Sequence, residues 1–129
     1  MDYYYGYSSH NEDDYVNRNT RFLKNLCSDL DIILIIGSQL TRILEERGGN
    51  KKPQLYDLKW SSALEDTSDK VIFLHRPEYY GITEDDEGRP TEYMANLIIA
   101  KNRNGKMGEV VIEFNQSLRK FIDHGSYSN

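Results

Sequence analysis

Cysteine is nearly absent from this chain, which has one, Cys27, among 129 residues. A single thiol forms no internal disulfide bond, and the three histidines are scattered rather than set at zinc-ligand spacing. Long apolar runs are missing too, since none approaches the ~18 residues of a membrane-spanning helix. The first residues, Met-Asp-Tyr-Tyr-Tyr, lack the basic and apolar regions of a secretion signal. We therefore expect a reduced, cytoplasmic protein with no membrane partner.

The sequence contains neither of the common glycine-rich phosphate loops. It has no G-x-x-x-x-G-K-[ST] segment, which would cradle a triphosphate, and no G-x-G-x-x-G segment. The acidic residues at 84–87 lack the alternating ligand spacing of a calcium loop, so we interpret them as a solvated loop. His75, at the expected end of a strand, is interpreted as structural rather than catalytic.

The composition, 38% apolar and 29% charged, favours one soluble domain. We expect residues 1–123 to form that domain and residues 124–129 to be a flexible tail. A net charge of −5 argues against a general nucleic-acid-binding protein. Two basic stretches nevertheless occur, at residues 48–53 and 101–106, in segments expected to be loops or turns. Ordinary solvated charge is the alternative interpretation of each stretch.

A helix followed by an apolar strand is expected early in the chain. Residues 12–30 carry apolar side chains at three- and four-residue spacing after a capping Asn11, which predicts an amphipathic helix. Residues 32–36, Ile-Ile-Leu-Ile-Ile, are apolar on both faces, which predicts a buried parallel strand. This helix and strand indicate an α/β fold, in which ligands bind at the carboxyl ends of strands. Gln39 lies at such an end.

The middle of the chain is less regular. Residues 40–59 are polar and interrupted by glycine and proline, which predicts a short helical turn and then a mobile loop. Residues 61–66 favour another short helix. Residues 71–74, Val-Ile-Phe-Leu, predict a second buried strand.

A β-hairpin is expected near the C-terminus. Residues 96–100 and 109–114 are strand-like and flank an Asn-Gly pair, which favours a turn with positive φ. The tip of this hairpin would be basic. Three apolar residues beyond it are expected to cover a sheet edge: Leu118, Phe121 and Ile122.

Five segments, taken in order, resemble the DnaB family of replicative helicases. Residues 33–42 resemble its strand followed by Ser-Gln-Leu, and residues 56–69 are similar to its "S-D-L-R-E-S-G-x-I-E-Q-D-A-D". Residues 71–80 are similar to "h-x-F-L-Y-R-D-E-Y-Y", and residues 97–108 to "I-I-I-A-K-Q-R-N-G-P-T-G". Residues 1–3, Met-Asp-Tyr, match the end of a strand that the family closes with Asp-Tyr. The ordered set is far more specific than any one motif.

The resemblance extends over about residues 1–122 and implies a fold. These residues correspond to the second half of a RecA-like ATPase domain. The implied structure is α/β: a partial RecA-like sheet of the P-loop NTPase type, with flanking helices and a C-terminal β-hairpin, and without the P-loop half.

The resemblance also implies roles at a nucleotide site. Asp2 matches the residue that helps to organise Mg²⁺, through a metal-bound water. Gln39 matches a sensor of the γ-phosphate, although a glutamine that satisfies loop amides is the alternative. Lys101 and Arg103 match two basic residues that the family projects into the nucleotide site of the adjacent subunit in a hexameric ring. An arginine placed there stabilises the negative charge of phosphoryl transfer.

The segment at 42–62 corresponds to the family's loop that faces single-stranded DNA, where cations contact the phosphate backbone. The matching cations are Arg42, Arg47, Lys51, Lys52 and Lys59. Three positions depart from the family pattern, because Lys59, Trp60 and Ser62 replace Arg, Glu and Gly. Lysine keeps the charge without the bidentate guanidinium. Trp60 is compatible with stacking on a base or with packing in a core.

The favoured hypothesis is therefore the C-terminal portion of a replicative DNA helicase, an enzyme that unwinds duplex DNA with ATP. The phosphate cradle and the catalytic Glu of this family lie N-terminal to the matched segment. We thus expect no ATP hydrolysis by this chain alone, and ATP and Mg²⁺ as cofactors only of a complete domain. Two alternatives remain open: a non-catalytic module that binds a helicase ring, and a module that binds single-stranded DNA.

Overall fold

The computed structural model describes residues 9–59 and 61–124. It contains three helices, α1 (Ser9–Leu30), α2 (Ile43–Glu46) and α3 (Ser61–Thr67), and four strands, β1 (Lys70–His75), β2 (Met94–Asn102), β3 (Gly108–Asn115) and β4 (Lys120–Asp123). Two 3₁₀ turns, Leu55–Asp57 and Pro77–Tyr80, join these elements. The predictions for Asp2, for the strand that ends there and for Trp60 concern positions outside the described residues.

The four strands form one antiparallel sheet in the order β1-β2-β3-β4, so each strand pairs with its neighbour in sequence. The predicted hairpin is confirmed, with Leu97 opposite Val110 and Ile99 opposite Gly108. Phe121 and Ile122, expected to cover an edge, instead lie in β4 and pair with β3. The segment therefore extends the sheet by one strand.

The hydrophobic core lies on one face of this sheet. Val71 and Phe73 of β1 are buried there with Leu58. Other apolar side chains packed against this cluster are Leu40, Leu55, Ile98 and Ala100. Because side chains alternate along a strand, Ile72 and Leu74 point to the opposite face, where they are 55% and 46% exposed. The strand predicted at 71–74 is confirmed, but the prediction that both of its faces are buried is wrong.

The predicted N-terminal helix is confirmed and begins at Ser9. It packs against α3 along one side. Thr20 is buried on α1, and its hydroxyl donates to the carbonyl of Val16 at 2.9 Å. Phe22 and Leu30 are exposed, so only part of the predicted apolar face is covered.

The strand predicted at residues 32–36 is wrong, because no strand of the described sheet runs beside it. Its side chains are exposed, and Ile33 and Ile35 reach 92% and 91%. The nearest ladder contact is an isolated antiparallel bridge between Leu40 and Leu58. A strand needs a partner strand for its backbone groups, and within residues 9–59 and 61–124 no strand pairs with this segment. The Ile32 N–H donates instead to the carbonyl of Cys27 in the last turn of α1, at 3.1 Å. Residues 32–36 are apolar, as a buried strand requires, but no element within residues 9–59 and 61–124 buries them.

Candidate functional site

The basic tip of the hairpin is shaped by side-chain packing. The Asn102 amide donates to the Lys106 carbonyl at 3.0 Å, and the Gly105 N–H faces the Asn102 carbonyl at 3.4 Å. A Cβ on Gly105 would lie 2.6 Å from Asn102 Nδ2. The positive φ predicted from the Asn-Gly pair is wrong, since neither Asn104 nor Gly105 has one. Any larger residue here would force the Asn102 side chain to move.

Lys101 and Arg103, the two predicted nucleotide-site cations, are held by the turn between α3 and β1. The Lys101 ammonium donates to the main-chain carbonyl of Glu65, in the last turn of α3. A cation suits this position because helix C-termini carry partial negative charge. Arg103 Nη1 lies 3.0 Å from Asp69 Oδ1, and the Arg103 N–H donates to the Asp69 carbonyl at 2.9 Å.

Asp69 is thus the centre of an ionic cluster that joins three elements. Its second oxygen, Oδ2, accepts from the Lys24 ammonium of α1. Lys24 is the main reason that the pKa of Asp69 lies below its ordinary value, and Arg103 and Lys101 contribute through their charge. The sequence did not single out Asp69 or Lys24. Asp69 is 34 positions from Arg103 and 45 from Lys24, so no local spacing could have related them.

An open groove of about 690 Å³ runs beside the hairpin tip. It is lined by Lys101, Arg103 and Lys106 together with apolar atoms of Leu55 and Met107. The structure therefore brings the two predicted cations into one groove and adds a third. Gln39 is not among the residues lining it.

The predicted DNA-binding loop at 42–62 is built around the buried carboxylate of Asp57, which is 1% exposed. Arg47 Nη2 lies 2.5 Å from Asp57 Oδ2, and the Gln54 N–H donates to the same oxygen at 2.7 Å. The pKa of Arg47 is raised, chiefly by its hydrogen bond to Asp57. The guanidinium also donates to the Tyr56 hydroxyl at 2.6 Å. Arg47 therefore fixes the loop from within.

Lys51 and Lys52 are also engaged within the molecule. The Lys51 ammonium donates to the Glu45 carbonyl at 2.6 Å and lies 5.9 Å from the centre of the Tyr80 ring. The Lys52 ammonium lies 2.9 Å from Glu109 Oε2 on β3. Through these contacts the loop is attached both to α2 and to the sheet.

The remaining predicted cations of the loop, Arg42 and Lys59, have exposed side chains. Arg42 directly precedes α2. The Lys59 N–H donates to the Gln39 carbonyl at 3.1 Å, which ties the end of the loop to its beginning. Gln39 itself is exposed.

His75 is buried at the end of β1, with 2% of its surface exposed. Its ring stacks on Tyr80, with the ring centres 5.6 Å apart, and within the described residues neither ring nitrogen has a hydrogen-bond partner. Burial is the main reason that its pKa is lowered; the charge of Lys52 lowers it further and that of Glu109 opposes. The ring lines a small cavity of about 90 Å³ with Lys52, Asn96 and Glu109.

Over the described ranges, no three His, Cys, Asp or Glu side chains are grouped so that they could hold a metal ion. The acidic residues at 84–87 form a turn in which Asp85 Oδ2 pairs with the Arg89 guanidinium at 2.7 Å. No helix in the described part of the chain is long and apolar enough to cross a lipid bilayer.

Comparison with known proteins identifies relatives over most of the chain. A model of the DnaB-like helicase C-terminal domain matches residues 1–123. The replicative DNA helicase DnaB of Haemophilus influenzae is 37% identical over 102 residues, which are 79% of this chain and 20% of that protein. The DnaB helicase of Geobacillus stearothermophilus is 36% identical over 118 residues, 92% of this chain and 25% of that protein. The chain therefore spans about a quarter or less of these curated relatives.

Solved structures give the same result for the fold. An ATPase domain matches with a TM-score of 0.76 and 31% identity, covering 95% of this chain and 40% of that one. A DnaB-like replicative helicase, solved in a study of its interactions with primase, matches with a TM-score of 0.76 and 32% identity, covering 92% of this chain and 26% of that one. These matches confirm the predicted fold class, a partial RecA-like α/β domain.

Proposed function

The chain belongs to the DnaB-like helicase C-terminal domain family, and from that premise we propose that it acts as one part of a replicative DNA helicase. In this role it contributes to a ring that unwinds duplex DNA with ATP and does not hydrolyse ATP by itself. A cytoplasmic location accompanies this role.

The observation that carries the proposal is an uncovered apolar surface, by which we mean the apolar side chains that no other residue within 9–59 and 61–124 buries. Residues 32–36 are exposed, and so are Ile72, Leu74 and Val110 on the sheet face opposite the core. Burying one such side chain fully is worth about 1.5–3 kcal/mol. Monomeric proteins rarely leave large contiguous apolar patches open, and residues 32–36 are five consecutive exposed apolar side chains. The rest of an ATPase domain, packed against this surface, would supply the neighbouring strands and the cover.

We propose that the nucleotide and Mg²⁺ site is completed by residues outside this chain. The sequence has no phosphate cradle, and the described ranges contain no group of metal ligands. Lys101 and Arg103 instead have the chemistry to contact phosphates from outside, because both are cations on one groove. We assign them to the nucleotide site of an adjacent subunit. Gln39 and Asp2 keep the roles of phosphate sensor and of magnesium-site residue as proposals.

For single-stranded DNA, the exposure of the side chains divides the five predicted cations into a half-buried group and an exposed group. Arg47, Lys51 and Lys52 hold the loop together through Asp57, Glu45 and Glu109. Arg42 and Lys59 have exposed side chains suited to phosphate contacts. We therefore propose that the second group contacts DNA and that the first group positions it.

The first test is the DNA sequence immediately upstream of the Met1 codon. An open frame that continues into a glycine-rich loop ending in Lys-Ser or Lys-Thr supports the proposal, since the chain would then be translated with its phosphate cradle. A stop codon there contradicts it. Phosphate release by the isolated chain provides a biochemical check, for which we expect no magnesium-dependent turnover and no effect of Asp2→Ala.

A non-catalytic module that binds a helicase ring is the second candidate, and the same uncovered apolar surface favours it. Sedimentation of the chain with an intact DnaB hexamer distinguishes the two. Binding at micromolar concentration together with an upstream stop codon supports the module. An open upstream frame and no binding support the helicase part.

A further inference from the structure

We propose that Asp69 is a positioning residue, which holds the Arg103 side chain against its own subunit until a phosphate group replaces the carboxylate. This inference rests on the proposed function, in which Arg103 reaches the nucleotide of an adjacent subunit. It adds a resting position for that side chain and names the residue that provides it.

Asp69 contacts Arg103 at two points with different consequences. The Arg103 N–H donates to the Asp69 carbonyl at 2.9 Å, which fixes the base of the hairpin tip to the end of α3. The guanidinium Nη1 lies 3.0 Å from Asp69 Oδ1, which fixes the direction of the side chain. The second contact can break while the first remains, so the side chain can move without displacing the hairpin.

Lys24 lowers the free-energy cost of separating Arg103 from Asp69. Its ammonium already pairs with Asp69 Oδ2, so the carboxylate keeps a cationic partner after Arg103 leaves. Lys24 also contributes most to keeping the pKa of Asp69 low, and the carboxylate therefore stays ionised throughout. The carboxylate is shared between two cations, and only Arg103 lies on the groove.

The exposure of the pair sets how strongly Arg103 is held. The Arg103 and Asp69 side chains are 50% and 49% exposed. Ion pairs in such settings stabilise a conformation by no more than roughly five-fold. A phosphate chain offers several anionic oxygens to the same guanidinium and therefore competes well. Lys101 is different, because its partner is the neutral carbonyl of Glu65.

Titration of the 129-residue chain with inorganic triphosphate tests the proposal, with NMR of the Arg103 guanidinium as the readout. For Asp69→Asn we expect roughly two- to five-fold tighter binding, because the competing carboxylate is gone. Asp66→Asn is the matched control, since it removes the same charge from an exposed acid of α3, and we expect a smaller gain. Asp69→Glu should restore wild-type affinity, and Arg103→Ala should abolish the difference between the variants.

A second variant, Lys24→Gln, is expected to weaken triphosphate binding, whereas Asp69→Asn is expected to tighten it. Lys24→Gln leaves Asp69 with Arg103 as its remaining cation at hydrogen-bond distance, so we expect triphosphate to bind more weakly than to the wild type. This result remains available if Asp69→Asn fails to fold. Equal gains for Asp69→Asn and Asp66→Asn would overturn the proposal, as would no response of Arg103 to triphosphate in Asp69→Asn. Neither outcome involves a second subunit, so each differs from failure of the proposed helicase role.

Discussion

The two cation-bearing stretches of this chain, the loop at 42–62 and the hairpin tip at 101–106, differ in the burial of the acids that their arginines meet. In the loop, Arg47 pairs with Asp57, whose side chain is 1% exposed. At the hairpin tip, Arg103 pairs with Asp69, which is 49% exposed. A buried acid commits its cation to the structure, because breaking the pair would leave a charge in the interior. A solvated acid leaves its cation available for exchange.

This difference leads us to separate cations that hold the structure together from cations that are available to a ligand. Arg47 closes the loop by binding both Asp57 and Tyr56. We therefore expect Arg47 to affect DNA binding indirectly, by maintaining the conformation of the loop. Arg103 stands at a groove and has a replaceable partner, so its charge is expected to act on phosphate directly.

The largest effect should come from truncating the two acids in turn. Asp57→Ala removes the acceptor of both Arg47 and the Gln54 N–H, and we expect a loss of about 3 kcal/mol in the free energy of unfolding. Asp69→Ala should cost less than about 1 kcal/mol, because its partners are solvated. Urea denaturation followed by circular dichroism measures both. Equal losses would mean that burial of the acid does not separate the two stretches.

A smaller change in the free energy of unfolding is expected from pH, through the buried His75. His75 has a lowered pKa, so the unfolded chain takes up a proton at higher pH than the folded chain does. The free energy of unfolding should therefore fall as pH drops below the ordinary histidine pKa of about 6.5, and the loss should level off below the folded pKa.

His75→Phe should remove this dependence, measured as the difference in urea midpoint between about pH 5 and about pH 8. His124→Gln is the control, since it removes a different, exposed histidine, whose Nδ1 lies 2.9 Å from Glu113 Oε1. A pH dependence that persists in His75→Phe would assign the effect to another group.

The smallest effect concerns the hairpin tip. Gly105→Ala places a Cβ against Asn102 and should break the Asn102–Lys106 hydrogen bond, at a cost of about 1 kcal/mol. Asn102→Ala removes both the bond and the obstruction, so adding Gly105→Ala to it should cost little more. A double-mutant cycle in urea measures this coupling. Additive effects would show that the tip is held by contacts other than Asn102.

Local sequence signals predicted most of the elements that carry the site. The spacing of apolar residues gave α1, and the two runs around the Asn-Gly pair gave the β2–β3 hairpin. The family motifs predicted Lys101 and Arg103 as site residues, and the structure places both on one groove. These features depend on residues close together in the chain.

The features that sequence reasoning missed depend on partners that are distant in sequence or lie outside residues 9–59 and 61–124. Residues 32–36 have the pattern of a central strand, but pattern alone does not provide neighbouring strands. The pairing of Asp69 with Arg103 and Lys24 spans 34 and 45 positions. The same limit applies to Arg47, whose role depends on the burial of Asp57 rather than on its own position in a basic stretch.

The exposed segment at 32–36 is also expected to affect the tendency of the chain to aggregate. Residues 32–41 contain no charge and no proline, and five of them are β-branched or leucine in an unbroken run. Such runs stack into intermolecular β-sheets when they are left open in solution. During synthesis the segment leaves the ribosome before β1–β4, so until it is covered we expect it to promote aggregation. The order in which partners arrive, and not only their affinity, would then determine how much protein stays soluble.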